Sequence, residues 1–300
     1  CFDAYEAIAK EHLKWLWREA PNDGVSKQEY AKVKPMRDMV KRLGENDLVS
    51  FAYHGGQKAE DASPWYFFAS GLRGWKAKMG TWGLDMLQFS LSAEFFETNP
   101  LKFQELFLQF SKILKVEHGH GGYALNLSHV RVEPNESIEA FMSQKLIALD
   151  AGNASGNYDQ GITDHIKTIG WLTAINKTML AKLEGMFTIH SELPELWYAK
   201  YDYGNGIIIQ AGPEPIKAGI EIDPKPAIYV LPNMLFKELR VPEIGSLHYG
   251  SKDGEPRLFG WAAEQWLQRF DVPEGELLAY KAKLLKEPKL KPGTYLPDRL

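Results

Sequence analysis

The chain has 300 residues, enough for one large domain or two smaller ones with a buried core. Its formal net charge of −4 argues against direct binding of nucleic acid, which needs a basic surface, and is compatible with a basic protein partner. The single cysteine, Cys1, excludes an internal disulfide and a zinc site made of cysteines. No segment approaches the ~18 consecutive apolar residues of a membrane span, and no signal sequence opens the chain. We therefore expect a cytoplasmic protein that binds no membrane.

Cys1 has a second interpretation, because a mature lipoprotein also begins with cysteine. A flexible polar tether usually follows the cysteine of a lipoprotein, whereas here Phe2, Tyr5 and Ile8 begin a helical pattern at once. This pattern favours a trimmed chain over a lipid anchor. The sequence leaves the oligomeric state open between a monomer and a homodimer.

Apolar residues at helical spacing predict two helices at the start of the chain. The first lies at 1–19, and the second runs from Ser26 to about Leu43, where Ser26 and Glu29 form a capping box. Extended segments and two further helices follow. The predicted strands lie at 48–53, 65–70, 85–91 and 123–127, and the predicted helices lie at 99–114 and 137–149.

The second half of the chain repeats this mixture. A β-hairpin is predicted where a Gly-Asn-Gly turn at 204–206 joins extended runs at 197–203 and 207–211. The other predicted elements are helices at 172–183, 232–239 and 260–270 and a strand at 227–231. Strands grouped without regular β-α-β alternation predict an α+β fold with a mainly antiparallel sheet flanked by helices. We expect one compact domain over 1–300, made of N-terminal helices at 1–45 and two related lobes at 46–150 and 151–300.

Two groups of residues are candidates for metal chemistry, although signatures of phosphate cradles, nucleophile elbows and zinc-binding helices are missing. On a strand, His118 and His120 would share a face and could bind a metal with a third ligand from elsewhere. The alternative is a glycine-rich helix end with two solvent-facing imidazoles. Carboxylates around the loop 152–161 could bind calcium or magnesium, or they could be solvated loop charges. These loop residues are Asp150, Asp159 and Asp164, with His165 beside them.

Acidic and aromatic residues alternate between Glu184 and Asp223, where the only Lys or Arg residues are Lys200 and Lys217. Such a surface suits a basic partner, because charge steers the encounter and rings anchor it. The alternative is an ordinary exposed hairpin. The loop 152–161 has almost nothing to bury and is a second candidate contact. The predicted partner-binding residues are Glu195, Trp197, Tyr201, Asp202, Tyr203 and Asn205 in the hairpin, and Asn157 and Asp159 in the loop.

Two stretches resemble a known family. Residues 166–185 contain I-K-x-x-x-W-L-T…L-x-G, and residues 203–215 contain I-Q-A-G-P-x-P. Together they are similar to the signatures of the type VI secretion immunity family (TsiV-like proteins, formerly a domain of unknown function). Looser matches lie at 121–124, 239–240 and 266–270. The chain departs from the family after Pro215, where a glycine–acid pair is more common.

The resemblance implies an immunity protein that catalyses nothing, needs no cofactor and binds a cognate type VI effector toxin. The toxins implied for this family are nucleases, including nucleases with VRR-Nuc domains. Tight association would block the active site or the DNA-binding surface of such a nuclease. Two alternatives come from other classes. One is a metal-dependent hydrolase that uses His118, His120 and a distant carboxylate, and the other is a structural or adaptor component of the secretion apparatus.

Overall fold

The computed structural model describes residues 1–21, 23–79, 83–128, 132–153, 162–183, 186–222, 225–248 and 257–300. The chain divides into two compact units, one made of Cys1–Thr98 and Asn126–Asn135, the other of Asn99–Leu125 and Glu136–Leu300. Each unit contains one antiparallel sheet together with helices, so the predicted α+β class is confirmed. The units differ in their bounds from the lobes expected from the sequence, because residues 99–125 contribute a helix and a strand to the second unit.

The first unit contains a five-stranded sheet in the order β2-β1-β3-β4-β5. Its strands are β1 (Trp15–Trp17), β2 (Lys27–Glu29), β3 (Val49–His54), β4 (Tyr66–Gly71) and β5 (Met86–Ser90). Its helices are α1 (Phe2–Ala9), α2 (Met36–Val40), α3 (Gly74–Lys78) and α4 (Ala93–Thr98), with a 3-10 turn at Tyr30–Lys32. The strands predicted at 48–53, 65–70 and 85–91 are thus confirmed.

Aromatic side chains form the core of the first unit. Tyr53 and Phe67 lie opposite each other across β3 and β4. Helix α1 places Phe2 against Tyr53, with ring centroids 4.2 Å apart, and Tyr5 against Phe67, with centroids 5.3 Å apart. Each aromatic pair contributes about 0.5–1.5 kcal/mol beyond the area that it buries. Ring packing therefore fixes α1 on the sheet.

The predicted N-terminal helices are wrong beyond Ala9. Leu16 is buried between half-buried tryptophans and pairs with Tyr53 across β1 and β3, so a two-residue alternation replaced the helical one. The predicted helix from Ser26 is also interrupted, because β2 pairs with β1 and Pro35 precedes the short helix α2. A proline inside a helix removes a hydrogen bond and clashes with the preceding turn.

The second unit contains a four-stranded sheet in the order β6-β7-β9-β8. Its strands are β6 (His118–Gly121), β7 (Leu172–Asn176), β8 (Tyr198–Asp202) and β9 (Gly206–Ala211). Its helices are α5 (Lys102–Leu114), α6 (Val132–Lys145, from Glu136 onward), α7 (Lys177–Leu180), α8 (Met186–Glu192), α9 (Ala227–Leu235), α10 (Trp261–Leu267) and α11 (Leu277–Leu284). Short 3-10 turns lie at Lys237–Leu239 and Glu274–Glu276. None of the helices in these described ranges has the length and apolarity that a membrane crossing requires.

The predicted hairpin is confirmed as β8 and β9. Two glycines form its turn for different reasons. Gly204 has a φ of +89°, a left-handed conformation that disfavours side chains, and its Cβ position is open. Gly206 has no space for a side chain, because a Cβ would lie 2.1 Å from the Ile175 carbonyl oxygen of β7.

The helix predicted at 172–183 is wrong in its first part, which is strand β7. All five residues of β7 are buried although Thr173 and Asn176 are polar, so the strand has no alternation of apolar and polar residues that would distinguish it from a helix. The side chain of Asn176 then caps α7 by accepting a hydrogen bond from the Met179 N–H at 2.7 Å.

Two other strand predictions are also wrong. Residues 227–231 belong to helix α9, and Pro232 lies inside that helix instead of starting one. The strand expected at 123–127 is replaced by β6, and Ala124 forms only an isolated bridge with Asp150. At 227–231 the apolar run was too short for its period to decide between helix and strand.

Candidate functional site

A partly buried ion cluster lies beside strand β6 in the second unit, and we call it the Asp150 cluster (His120, Asp150 and Lys167). The Lys167 side chain is 2% exposed and the Asp150 side chain 32%. His120 Nε2 is 3.0 Å from one Asp150 oxygen, and Lys167 Nζ is 3.1 Å from the other. Burial alone would raise the pKa of the Asp150 carboxyl, but the charges and hydrogen bonds of His120 and Lys167 outweigh it and hold this pKa far below its usual range. The Asp150 carboxylate is therefore charged and already occupied by two partners.

Arg269 extends this cluster through the ring of Trp266. Its guanidinium lies 3.6 Å from the centre of that ring, and Lys167 Nζ lies 5.1 Å from it. Arg269 also donates hydrogen bonds to the Ile147 carbonyl at 2.6 Å and to Thr168 Oγ1 at 2.9 Å. Residues from three distant stretches of the sequence are thus fixed around one ring.

The two histidines of β6 share a face, as expected for a strand, but neither is solvent-facing. His118 Nε2 lies 3.1 Å from the Ile162 carbonyl, and burial lowers the pKa of His118, so its neutral ring donates to that oxygen. Within the described ranges, no group of three or more His, Cys, Asp or Glu residues could hold a metal ion. The hydrolase alternative therefore finds no third ligand among those residues.

The two described carboxylates predicted around the loop 152–161, Asp150 and Asp164, have different partners. Asp150 belongs to its own cluster, while Asp164 is exposed and pairs with Nδ1 of its neighbour His165 at 2.8 Å. Asp159 and Asn157 lie outside the described residues.

A second buried cluster, missed by the sequence analysis, is the Glu139 cluster (Glu136, Glu139, His248 and Arg257). Glu139 Oε2 accepts hydrogen bonds from His248 Nε2 at 2.6 Å and from the Gly152 amide at 3.0 Å. Glu136 Oε2 accepts one from Arg257 Nη1 at 2.6 Å. The spacing of Glu136 and Glu139 places both on one helical face, which is the only sequence signal for this cluster.

The structure buries the aromatic residues of the predicted partner-binding hairpin. Trp197, Tyr201 and Tyr203 are 4%, 1% and 2% exposed, so their rings belong to the core. Tyr201 donates to Gln210 Oε1 at 2.5 Å, and Tyr203 donates to the Val116 carbonyl at 2.9 Å.

The polar residues predicted in the same hairpin are more accessible. Glu195 and Asp202 are exposed, and Asn205 is half-buried, with its side chain donating to the carbonyls of Lys115 and Val116 at 3.0 and 3.2 Å. Their part in partner binding stays a prediction.

The two motifs of the sequence form neighbouring strands. Residues of β7 pair with residues of β9, from Leu172 opposite Gln210 to Asn176 opposite Gly206. Trp171 Nε1 donates to the Gly212 carbonyl at 3.1 Å, and the Ala211 amide donates to the Trp171 carbonyl at 2.8 Å. The motifs are therefore the contact between two central strands, and they mark a fold rather than an active site.

Comparisons with known proteins give one matching family and a similar solved structure. The sequence model of the family described as TsiV, type VI immunity for VRR-NUC, matches residues 1–270. A solved structure described as the T6SS protein PA0821 of Pseudomonas aeruginosa is 43% identical, with a TM-score of 0.95, and the match covers 100% of this chain and 84% of that chain. A comparison with functionally curated proteins gave no match.

Proposed function

The chain belongs to the TsiV family of type VI immunity proteins, and from this premise we propose that it binds a cognate effector nuclease and neutralises it. The main support for this proposal is the length of the family match, which covers residues 1–270 and so includes residues of both units. For the same reason we propose that the two units act as one family domain.

The mechanism that we propose is stoichiometric occlusion without catalysis. A nuclease must expose a basic surface to hold DNA, and an acidic protein with a net charge of −4 is suited to cover that surface or the active site next to it. The polar clusters of the second unit support a structural role, because their charged groups bind one another. His120 and Lys167 both bind Asp150, and His248 binds Glu139. The proposed site of action is the cytoplasm, where the DNA substrate of a nuclease lies.

Co-expression with the effector encoded beside this protein tests the proposal. We expect the chain to restore the growth of cells that produce the toxin, and the purified pair to form a complex in which DNA cleavage stops at an equimolar ratio. A catalytic antagonist would instead protect at substoichiometric amounts. A component of the secretion apparatus would associate with other secretion proteins and leave the nuclease active, which would refute the immunity function.

A further inference from the structure

Residues 285–300, which we call the covering segment, lie along β8, the edge strand of the second sheet. The amide of Leu290 donates to the Leu196 carbonyl at 2.8 Å, and the amide of Leu300 donates to the Lys200 carbonyl at 2.8 Å. Trp197 Nε1 donates to the Glu287 carbonyl at 3.0 Å. The covering segment therefore occupies the side of the hairpin where the sequence predicted a partner.

Buried polar side chains of the sheet and of α5 bind the backbone of this segment. Gln210 Nε2 and Gln104 Nε2 donate to the Thr294 carbonyl at 2.7 and 3.1 Å, and Tyr201 Oη accepts from the Leu296 amide at 3.1 Å. Gln210 is fully buried and Gln104 is 2% exposed, so each would lose a partner if nothing lay there. Groups that bind main-chain atoms accept an extended peptide of almost any sequence.

The covering segment itself contributes little to the core. Leu296 is its only buried side chain within the described residues 285–300, and most of the others are exposed. Segments with few buried apolar contacts open locally at a small fraction of the global unfolding free energy. A competing peptide could therefore replace the segment without unfolding the sheet.

We call the surface under the covering segment, where Gln104, Gln210 and Tyr201 bind its backbone, the groove. The charge of the covering segment indicates which kind of peptide the groove prefers. The covering segment contains four basic residues and two acidic ones: Lys286, Lys289, Lys291 and Arg299, against Glu287 and Asp298. Lys289 Nζ lies 5.4 Å from the centre of the Trp197 ring, which begins the hairpin. Glu195, which precedes β8, and Asp202, the last residue of β8, are both exposed. The acidic, aromatic hairpin thus has a basic occupant, and that occupant is part of the same chain.

We propose that this groove exchanges the covering segment for a basic, extended segment of the effector. The inference rests on the proposed function and adds the contact surface and the chemistry of the partner's segment. In the groove, the side chains of Gln104, Gln210 and Tyr201 form hydrogen bonds to the backbone of the bound peptide. Glu195 and Asp202 provide the negative charge that attracts its basic residues.

A reversible disulfide tests the exchange in the full chain. Leu196→Cys and Leu290→Cys are introduced together with Cys1→Ser, which leaves one possible disulfide within the chain. The pair is chosen because the Leu290 amide donates to the Leu196 carbonyl at 2.8 Å, so the two residues are neighbours. When oxidised, this variant should bind the effector at least tenfold more weakly than when reduced. The Cys1→Ser protein under the same oxidant is the matched control and should not change.

A labelled peptide with the sequence of residues 285–300 gives a readout that does not need the effector. It should bind the reduced variant and not the oxidised one. Equal effector affinity in both states would overturn the groove as the contact while leaving the immunity function intact. If the wild-type chain fails to bind the effector, the immunity function is refuted. The peptide experiment then tests the exchange by itself: equal binding of the peptide to both states, or no binding to either, overturns it.

Discussion

The two units stabilise their cores with different side chains. The first unit stacks rings, such as Phe2 on Tyr53, on one face of its sheet. The second buries charged groups, among them Lys167 at 2% and Glu139 at 3% exposure. Apolar packing adapts to small changes of shape, whereas a buried charge that loses its partner keeps the full cost of desolvation. The first unit should therefore tolerate a conservative core substitution better than the second.

The largest expected effect is that of Lys167→Met, which removes one partner of the Asp150 carboxylate. We expect a loss of about 3 kcal/mol from the second unit, because Asp150 and the Ala151 carbonyl lose a buried donor. Hydrogen exchange of the β7–β9 amides measures it, since the two units need not unfold together.

Phe67→Leu is the matched control in the first unit, where we expect a loss of about 1.5 kcal/mol in the β3–β4 amides. The added substitution Asp150→Asn should recover part of the loss in Lys167→Met. A greater loss for Phe67→Leu than for Lys167→Met would reverse the comparison.

Acid should lower the free energy of unfolding of the first unit, because His54 becomes protonated. Burial lowers the pKa of His54 to about 4, and the Gly56 amide donates to its Nδ1, which must be unprotonated. Because the unfolded chain binds this proton more readily, stability is full above about pH 6.5 and is lost as the pH falls to about 4, by roughly 3 kcal/mol. His54→Asn keeps an acceptor and should flatten the pH dependence of the β3–β4 amides between pH 7 and 4.

The Asp150 cluster should respond to acid later. The pKa of its carboxyl is depressed, so its contribution is present above the ordinary aspartate pKa of about 3.9 and is lost only as the pH falls further. A steep loss of β7–β9 protection already at pH 5 in the unsubstituted chain would show that other groups control this unit.

A smaller effect separates two buried tyrosines. The Tyr201 hydroxyl has hydrogen bonds to Gln210 and Leu296, whereas in the described part of the chain the Tyr53 hydroxyl has no hydrogen-bond partner. Tyr201→Phe should cost about 1 kcal/mol, and Tyr53→Phe should be neutral or stabilising. Thermal denaturation with calorimetry measures both; equal costs would contradict the assignment of these hydroxyls.

The smallest effect concerns exposed charge and assigns the partner to one unit. Glu195→Gln with Asp202→Asn should slow association with the effector a few-fold at low salt, with little change in stability, because exposed charges act mainly on the association rate. Glu11→Gln with Asp38→Asn in the first unit is the matched control. An equal slowing by both pairs would mean that only net charge matters.

The sequence predicted the elements whose signals are local. Three strands of the first sheet, the Gly204 hairpin and the apolar stripe of α5 follow from alternation, turn chemistry and helical spacing. It failed at β1 and β7, where pairing with distant strands overrode the local pattern. The Glu139 cluster was out of reach, since His248 lies 109 residues from Glu139 and only the fold brings them together. The burial of the hairpin rings was also out of reach, because a buried and an exposed tyrosine have the same letter in a sequence.

The Gly-Asn-Gly turn combines two requirements that one letter hides. Gly204 is exposed and has a φ of +89°, a conformation that a D-amino acid adopts readily. D-alanine, introduced there by semisynthesis, would fit the folded turn and reduce the conformational freedom of the unfolded chain. Gly206 cannot carry a side chain, because the Ile175 carbonyl already occupies the position of a Cβ. Chirality can therefore be exchanged at the first glycine, while at the second any side chain forces β7 and β9 apart.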